Sequence, residues 1–283
     1  MRPARTAAAL AALALALAGC TEPVSQVEDP LARNVIDEAG LGDLMLTAGD
    51  PEEAINYFRS SLAEEPDRAD FRRGLAVSQV RAGRLPEAAR TYQEMLTLNQ
   101  ATPSDRVAYA MVAVRLGRWE DAEALEANLP AGLETPRRHL LTALAADHRE
   151  DWEAADAAYD RAVKLAPNPA KVYNNWGVSH QARGDLAGGE RMFERALSYD
   201  STLFSAKNNL AMTRGLQGNY ALPLVPMTET EKATLLNNLG IIAMRRGETG
   251  IAKGLFAQAV AAHPQYYQGA ADRLASLENR AVR

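Results

Sequence analysis

Small and large apolar residues alternate along this chain with a period near 34 residues. Turn-forming residues stand at Gly49, Gly83, Gly117, Gly184, Gly218 and Gly247, with Glu150 taking the place once, so successive spacings are 34, 34, 33, 34, 34 and 29. Seven residues before each turn lies a small residue: Gly42, Ala76, Ala110, Ala143, Gly177, Ala211 and Gly240. Five residues after it comes another (Ala54, Ala88, Ala122, Ala155, Gly189, Ala252), with Pro223 the exception. Four residues further on an aromatic recurs at Phe58, Tyr92, Tyr159, Phe193 and Phe256, and a proline closes the unit at Pro66, Pro167 and Pro264. Antiparallel helices approach closely only where both lack bulk, and large residues then fill the spaces between. A glycine past the first helix takes the left-handed conformation that ends it. The pattern predicts paired helices repeated about seven times.

Helix starts agree with this phase. Asp50-Pro51-Glu52-Glu53 supplies an N-cap, a proline in the first turn and an acid at the third position. Thr102-Pro103, Thr135-Pro136 and Asn168-Pro169 have the same form. Tyr267, Ala270, Ala271, Leu274 and Leu277 lie at helical spacing after the last unit and predict a capping helix, which an open-ended stack needs. Two units depart from the rule. The third carries Glu126 in place of the aromatic, then Asn128-Leu129-Pro130-Ala131-Gly132, so its second helix should be short and residues 126–135 irregular. The sixth is five residues short and has Pro223 and Pro226 where its second helix belongs. Proline inside a helix costs about 3 kcal/mol, so 219–230 should be irregular until Thr228-Glu-Thr-Glu231 restarts helix through a capping box. Irregular backbone on a rigid scaffold is where partners often dock; a tolerated deletion explains it equally well.

Small residues at positions 8 and 20, an aromatic at 24 and a proline at 32 resemble the tetratricopeptide (TPR) repeat. That resemblance implies an all-α, right-handed helical solenoid over residues 35–266, with units starting near 35, 69, 103, 136, 170, 204 and 233, and a cap over 267–283. TPR first helices line a concave groove. The pairs Asn174-Asn175, Asn208-Asn209 and Asn237-Asn238 fall at positions 5 and 6 of the last three units, so their amides can present donors and acceptors to an extended peptide or, equally, bond between repeats. The chaperone-type clamp for a C-terminal carboxylate needs lysine and asparagine at positions 5 and 9 of the first unit, where Ala39 and Asp43 stand instead.

Composition narrows the setting. Apolar residues make up 47% of the 283, aromatics 6%, and there is one cysteine. Residues 1–19 read as an exported leader: Arg2 and Arg5, then Thr6 to Ala18, an almost unbroken Ala/Leu run shorter than the ~20 residues a membrane span needs. Leu17-Ala18-Gly19-Cys20 resembles a lipobox, which implies cleavage before Cys20, covalent lipid on its thiol, and residues 20–34 as lipidated terminus and linker. Thr21, rather than Asp, after the cysteine implies sorting to the periplasmic face of the outer membrane. Removing Arg2 and Arg5 from 31 basic residues leaves 29 against 36 acidic ones, a net charge of −7. Such a chain has no positive field for nucleic acid or anionic headgroups, so attachment to the membrane rests on the acyl chains.

Catalytic chemistry is not evident. His139, His148, His180 and His263 are scattered. Ser179 and His180, as neighbours on a helix, face different directions. Gly184, Gly188 and Gly189 lack the preceding strand of a phosphate loop. Trp119 and Trp152, at position 17, and Trp176, at position 7, read as core. The expectation is a binding protein with protein partners and no enzyme activity, metal, cofactor or small-molecule substrate.

The C-terminal stretch is more particular. Asn208-Asn-Leu-Ala-Met, Gly218-Asn-Tyr-Ala-Leu-Pro-Leu-Val-Pro-Met, Asn237-Asn-Leu-Gly-Ile-Ile-Ala and Ala261-Ala-His-Pro, with the shortened sixth unit, resemble the TadD lipoproteins of tight-adherence (Tad/Flp) pilus assembly. The resemblance implies an assembly factor, pilotin-like, for the pilus secretin. Alternatives are a general periplasmic scaffold recruiting cell-wall hydrolases or other envelope complexes, or a pilotin for a type IV pilus or type II secretion secretin.

Overall fold

The structure, a computed structural model, describes residues 45, 46, 49–263 and 268–281. Cys20, the leader and linker, and Ala39, Asp43 and most of the first unit's first helix lie outside them. Thirteen helices and no strand occur among the described residues. They are α1 (Pro51–Glu64), α2 (Ala69–Arg81), α3 (Leu85–Thr97), α4 (Pro103–Arg115), α5 (Trp119–Ala127), α6 (Pro136–His148) and α7 (Trp152–Leu165). There follow α8 (Ala170–Ala182), α9 (Leu186–Tyr199), α10 (Phe204–Leu216), α11 (Glu229–Arg245), α12 (Thr249–Ala262) and α13 (Gln268–Ala281).

Each helix packs chiefly on its neighbours in sequence. The apolar interior is accordingly a series of six clusters, the arrangement of a stacked array. The small residues of the repeat lie at the close approaches: Ala54, Ala76, Ala88, Ala143, Ala155 and Ala252 are fully buried. So are the aromatics Tyr159, Phe193 and Phe256. A Cβ on Gly189 would meet the Gly177 carbonyl oxygen at 3.1 Å, which is how nearly the α8 and α9 backbones touch.

Turns and caps follow from local chemistry. Gly83, Gly117, Gly184, Gly218 and Gly247 have φ between +71° and +85°, and Glu150 adopts the same left-handed conformation at +58°. Gly49 does not: its φ is not left-handed, and a Cβ there would lie 2.9 Å from the Met45 carbonyl oxygen. Asp50 caps α1 by accepting from the amides of Glu52 and Glu53. Thr102 and Asp105 close a reciprocal box on α4, as do Thr228 and Glu231 on α11. At α8, Pro169 occupies the cap position itself, and Asn168 accepts from the Ala170 amide at 3.0 Å.

Both irregular units have a physical resolution. In the third, α5 runs for only nine residues. Irregular backbone begins at Asn128, two residues later than the sequence suggests, and Arg138 ties it down by donating to the carbonyls of Ala131 and Leu133. The first helices α4 and α6 touch directly past it, as α8 and α10 do across the full-length α9. In the sixth, residues 219–228 form a non-helical strap, and Glu229 and Thr230 already belong to α11. Tyr220, Leu222 and Met227 pack into the α11–α12 cluster, and Val225 into the α9–α10 cluster, so the strap joins the two where a helix would have. The helices beneath it are also stapled: Lys207, its side chain 3% exposed, donates to Glu231 at 3.0 Å.

Candidate functional site

The first helices of successive units, α2, α4, α6, α8, α10 and α11, carry Val77, Met111, Leu144, Val178, Met212 and Ile241 at position 9. None of the six is buried. This apolar row is flanked in the last three units by the asparagine pairs. Asn209 Nδ2 donates to Asn174 Oδ1 at 3.1 Å, and Asn238 Nδ2 donates to Asn208 Oδ1 at 2.8 Å. Asn237, buried, donates to Asn238 and accepts from Arg273 of α13, each at 3.3 Å. Position 5 of one unit thus meets position 6 of the next, and the amides form a ladder across α8, α10, α11 and α13. Asn175, half-buried, takes no part in it.

Asn175 instead borders a cavity of about 270 Å³ framed by α5, α6, α7 and α8. Trp119, at the start of α5, stacks on His148, at the end of α6, with ring centroids 4.0 Å apart and planes 7° from parallel. Trp152, at the start of α7, adds a further aromatic, and Leu144 and Val178 bring in the apolar row. Asp147 is the acid of this cavity. Its Oδ1 accepts from Ser179 Oγ at 2.6 Å and its Oδ2 from the Tyr159 hydroxyl at 2.7 Å, linking three helices.

Three carboxylates of the array differ in state. Burial opposes the charge of Asp105, but hydrogen bonds from Arg73 (2.7 and 2.8 Å) and Thr102 overcome it and hold the carboxyl below its usual range. Asp156 is likewise held low against burial by Arg183, bidentate at 2.9 Å, and by the Trp176 indole. Asp147 has no such cation. Burial pushes its carboxyl up, and the two hydroxyls only partly offset that.

Trp176, half-buried, packs against the α6–α8 cluster. Trp119 and Trp152, half-buried like Trp176, also line the cavity, an exposure that the reading of all three as core did not anticipate. The missed signal is the coincidence of tryptophan at position 17 in consecutive units with an acid at position 12, where other units have Leu46, Val80, Val114, Gln181, Gly215 and Met244. Ser179 and His180 turn to different partners: Ser179 to Asp147, and His180 Nδ1 to Asp185 at 2.8 Å. Among the described residues, no group of three or more His, Cys, Asp or Glu could hold a metal ion, and no helix is long and apolar enough to cross a membrane.

Helix pairs with small residues at the crossings and aromatics behind them define an all-α tetratricopeptide helical array. The tetratricopeptide-repeat family profile matches residues 40–106. No curated protein matches the sequence. The structure is similar to the APC/C Cut9–Hcn1 hetero-tetramer (TM-score 0.56, 16% identity), covering 87% of this chain, which spans 45% of that one. It is similar to a tetratricopeptide repeat protein from Parabacteroides merdae (TM-score 0.54, 17% identity, 87% of this chain and 97% of that). It is also similar to PilW, a type IV pilus biogenesis factor (TM-score 0.53, 15% identity, 83% of this chain and 96% of that). At these identities the likeness is one of fold.

Proposed function

We propose that this chain is a lipid-anchored, non-catalytic scaffold on the periplasmic face of the outer membrane that assists assembly of the tight-adherence pilus, in the manner of a pilotin for its secretin. The observation that carries the reading is the conjunction of a lipobox-like Leu17–Cys20 with a tetratricopeptide array whose sixth unit is shortened as in the TadD lipoproteins. Two or three acyl chains on Cys20 would hold the protein at the membrane, since one chain alone binds reversibly. PilW supports the reading as a fold neighbour that is itself a pilus biogenesis factor. The partner is bound along the first-helix face, where the apolar position-9 row runs beside the half-buried amides of Asn175, Asn208, Asn209 and Asn238, with Asn174 and Asn237 buried behind them in the ladder.

Deleting the gene should abolish heat-resistant secretin multimers and surface pili, and Cys20→Ser should release the protein from the membrane fraction and reproduce the defect. Normal multimers and pili in the deletion strain would refute the pilotin role. A strain that loses cell-wall hydrolase recruitment instead would point to a general envelope scaffold.

A further inference from the structure

We infer that the cavity between α5, α6, α7 and α8 is a site for the cationic head of a lysine or arginine side chain, presented by a protein segment bound along the first-helix face. The inference rests on the proposed use of that face and adds a specificity to it.

Three observations converge. The first is charge. Asp147 enters no ion pair among the described residues, while the arginine nearest in electrostatic influence, Arg183, is committed to Asp156 through two 2.9 Å hydrogen bonds. Arg149, which follows His148 in the chain, pairs with Glu123 at 2.8 Å. Both arginines are thus engaged with other carboxylates, and the charge of Asp147 is disfavoured by burial and only partly offset by its hydroxyl donors. A desolvated carboxylate of this kind gains most from an incoming cation.

The second is the wall. Trp119 and Trp152 line the same cavity as Asp147, and Trp119 is held in place by its stack on His148. The faces of tryptophan rings attract ammonium and guanidinium groups, and rings already fixed in place bind without the cost of ordering them. The third is size and position. At about 270 Å³ the cavity falls just below the ~300–1,000 Å³ of sites for whole small molecules, so it suits one side chain rather than a cofactor. Leu144 and Val178 would receive the aliphatic stem, and the Asn175 amide is placed to bond the peptide backbone from which the side chain projects.

A purely structural role for Asp147, tying α6 to Tyr159 and Ser179, makes a different prediction, because Asp147→Asn keeps the shape and one of the two acceptor oxygens while removing the charge. The test uses the full mature chain in detergent and three blocked alanine pentapeptides with central lysine, arginine or norleucine, alongside n-butylammonium, with binding read from tryptophan fluorescence. The lysine and arginine peptides should bind at least tenfold tighter than the norleucine peptide. Asp147→Asn should bring them to the norleucine level with an unchanged circular dichroism spectrum, and Trp152→Leu should weaken them several-fold. Equal affinity for lysine and norleucine peptides, or charge-selective binding that survives Asp147→Asn, would overturn the inference while leaving peptide binding along the face intact. Butylammonium binding that depends on Asp147, with no peptide binding, would leave the cation site standing and sink the reading of the face.

Discussion

Gly177 offers the sharpest test of how the array is held together, because two opposing terms can be separated there. An added Cβ would lie 2.5 Å from Phe193 Cε1, 2.7 Å from Cδ1 and 2.8 Å from Cζ. Carbon atoms settle at about 3.5–4.0 Å, so the ring would have to retreat by roughly 1 Å. Phe193 has no exposed surface and nowhere to retreat to without moving α8 from α9. Overpacking of this kind costs about 1–3 kcal/mol. Replacing a helical glycine by alanine returns about 1 kcal/mol through helix propensity. Gly177→Ala should therefore leave stability unchanged at best and lower it by about 2 kcal/mol at worst. Gly254 of α12 is the control: it is exposed, and a Cβ there meets nothing within 4 Å, so Gly254→Ala should gain the full ~1 kcal/mol. The propensity term cancels between the two variants, leaving a difference of about 1–3 kcal/mol from the clash alone. Urea unfolding followed by circular dichroism reads it, and shortening the ring in the double variant Gly177→Ala, Phe193→Leu should recover part of the loss. Equal midpoints for the two alanine variants would show that position 8 has room to spare, and the close-packing account would fail.

Other substitutions probe other parts of the array. Glu150 occupies a left-handed conformation that costs a side-chain-bearing residue about 1–2 kcal/mol, so Glu150→Gly should raise the unfolding free energy by about 1 kcal/mol in spite of glycine's greater chain entropy. Asp105→Asn and Asp147→Asn should have opposite pH dependences in the same assay. The carboxyl of Asp105 is lowered in the fold, so its stabilisation is present above the unfolded pKa near 3.9 and lost as pH falls through the lower folded value; the deficit of Asp105→Asn should close with acidification. The carboxyl of Asp147 is raised, so its charge is a penalty that appears as pH rises from about 3.9 through the folded value, and Asp147→Asn should gain on the parent protein across that window. In the strap, Leu224 is fully exposed, and Leu224→Ser should change stability by less than about 0.5 kcal/mol. Tyr220→Phe, which loses a 2.6 Å hydrogen bond to Glu248, should cost about 1 kcal/mol; equal effects of the two would mean that the strap is not anchored as described.

The repeat itself was legible because its chemistry is local. A turn glycine, a small residue and an aromatic act within one helix pair, so their spacing reports the fold without knowledge of the neighbours. The same locality hid the site. Asp147 owes its state to burial among packed helices and to hydrogen bonds from Tyr159 in its own unit and Ser179 in the next, thirty-two positions away. Position 17 reads as core when averaged over Leu85, Leu186 and Tyr220, although in two successive units a tryptophan there faces a cavity. The asparagine pairs were visible as a recurrence, but that position 5 of one unit bonds to position 6 of the next depends on the rotation between units, which no single unit encodes. Gly49 shows the converse limit, a residue in the right register that does not adopt the turn conformation of its counterparts.

Where the array departs from its own average, the consequence stays close by, and this explains how a stacked scaffold can carry a site at all. A shortened α5 ends the third unit's second helix at Ala127 beside the helix that carries Asp147 and His148, while α7 and α8 present Tyr159 and Ser179 to Asp147. The missing helix of the sixth unit is absorbed within the strap and the Lys207–Glu231 pair, so α11 and α12 stack as a regular unit beyond it. In a single-core protein either loss would spread through the interior. In a chain of nearest-neighbour contacts it alters one interface, and the surface acquires a feature at that point for the cost of a few local contacts. An aromatic-walled acid beside an apolar row is such a feature. Its distinctness from the equivalent positions of the other units is what would let a partner engage the array in one register instead of sliding along it.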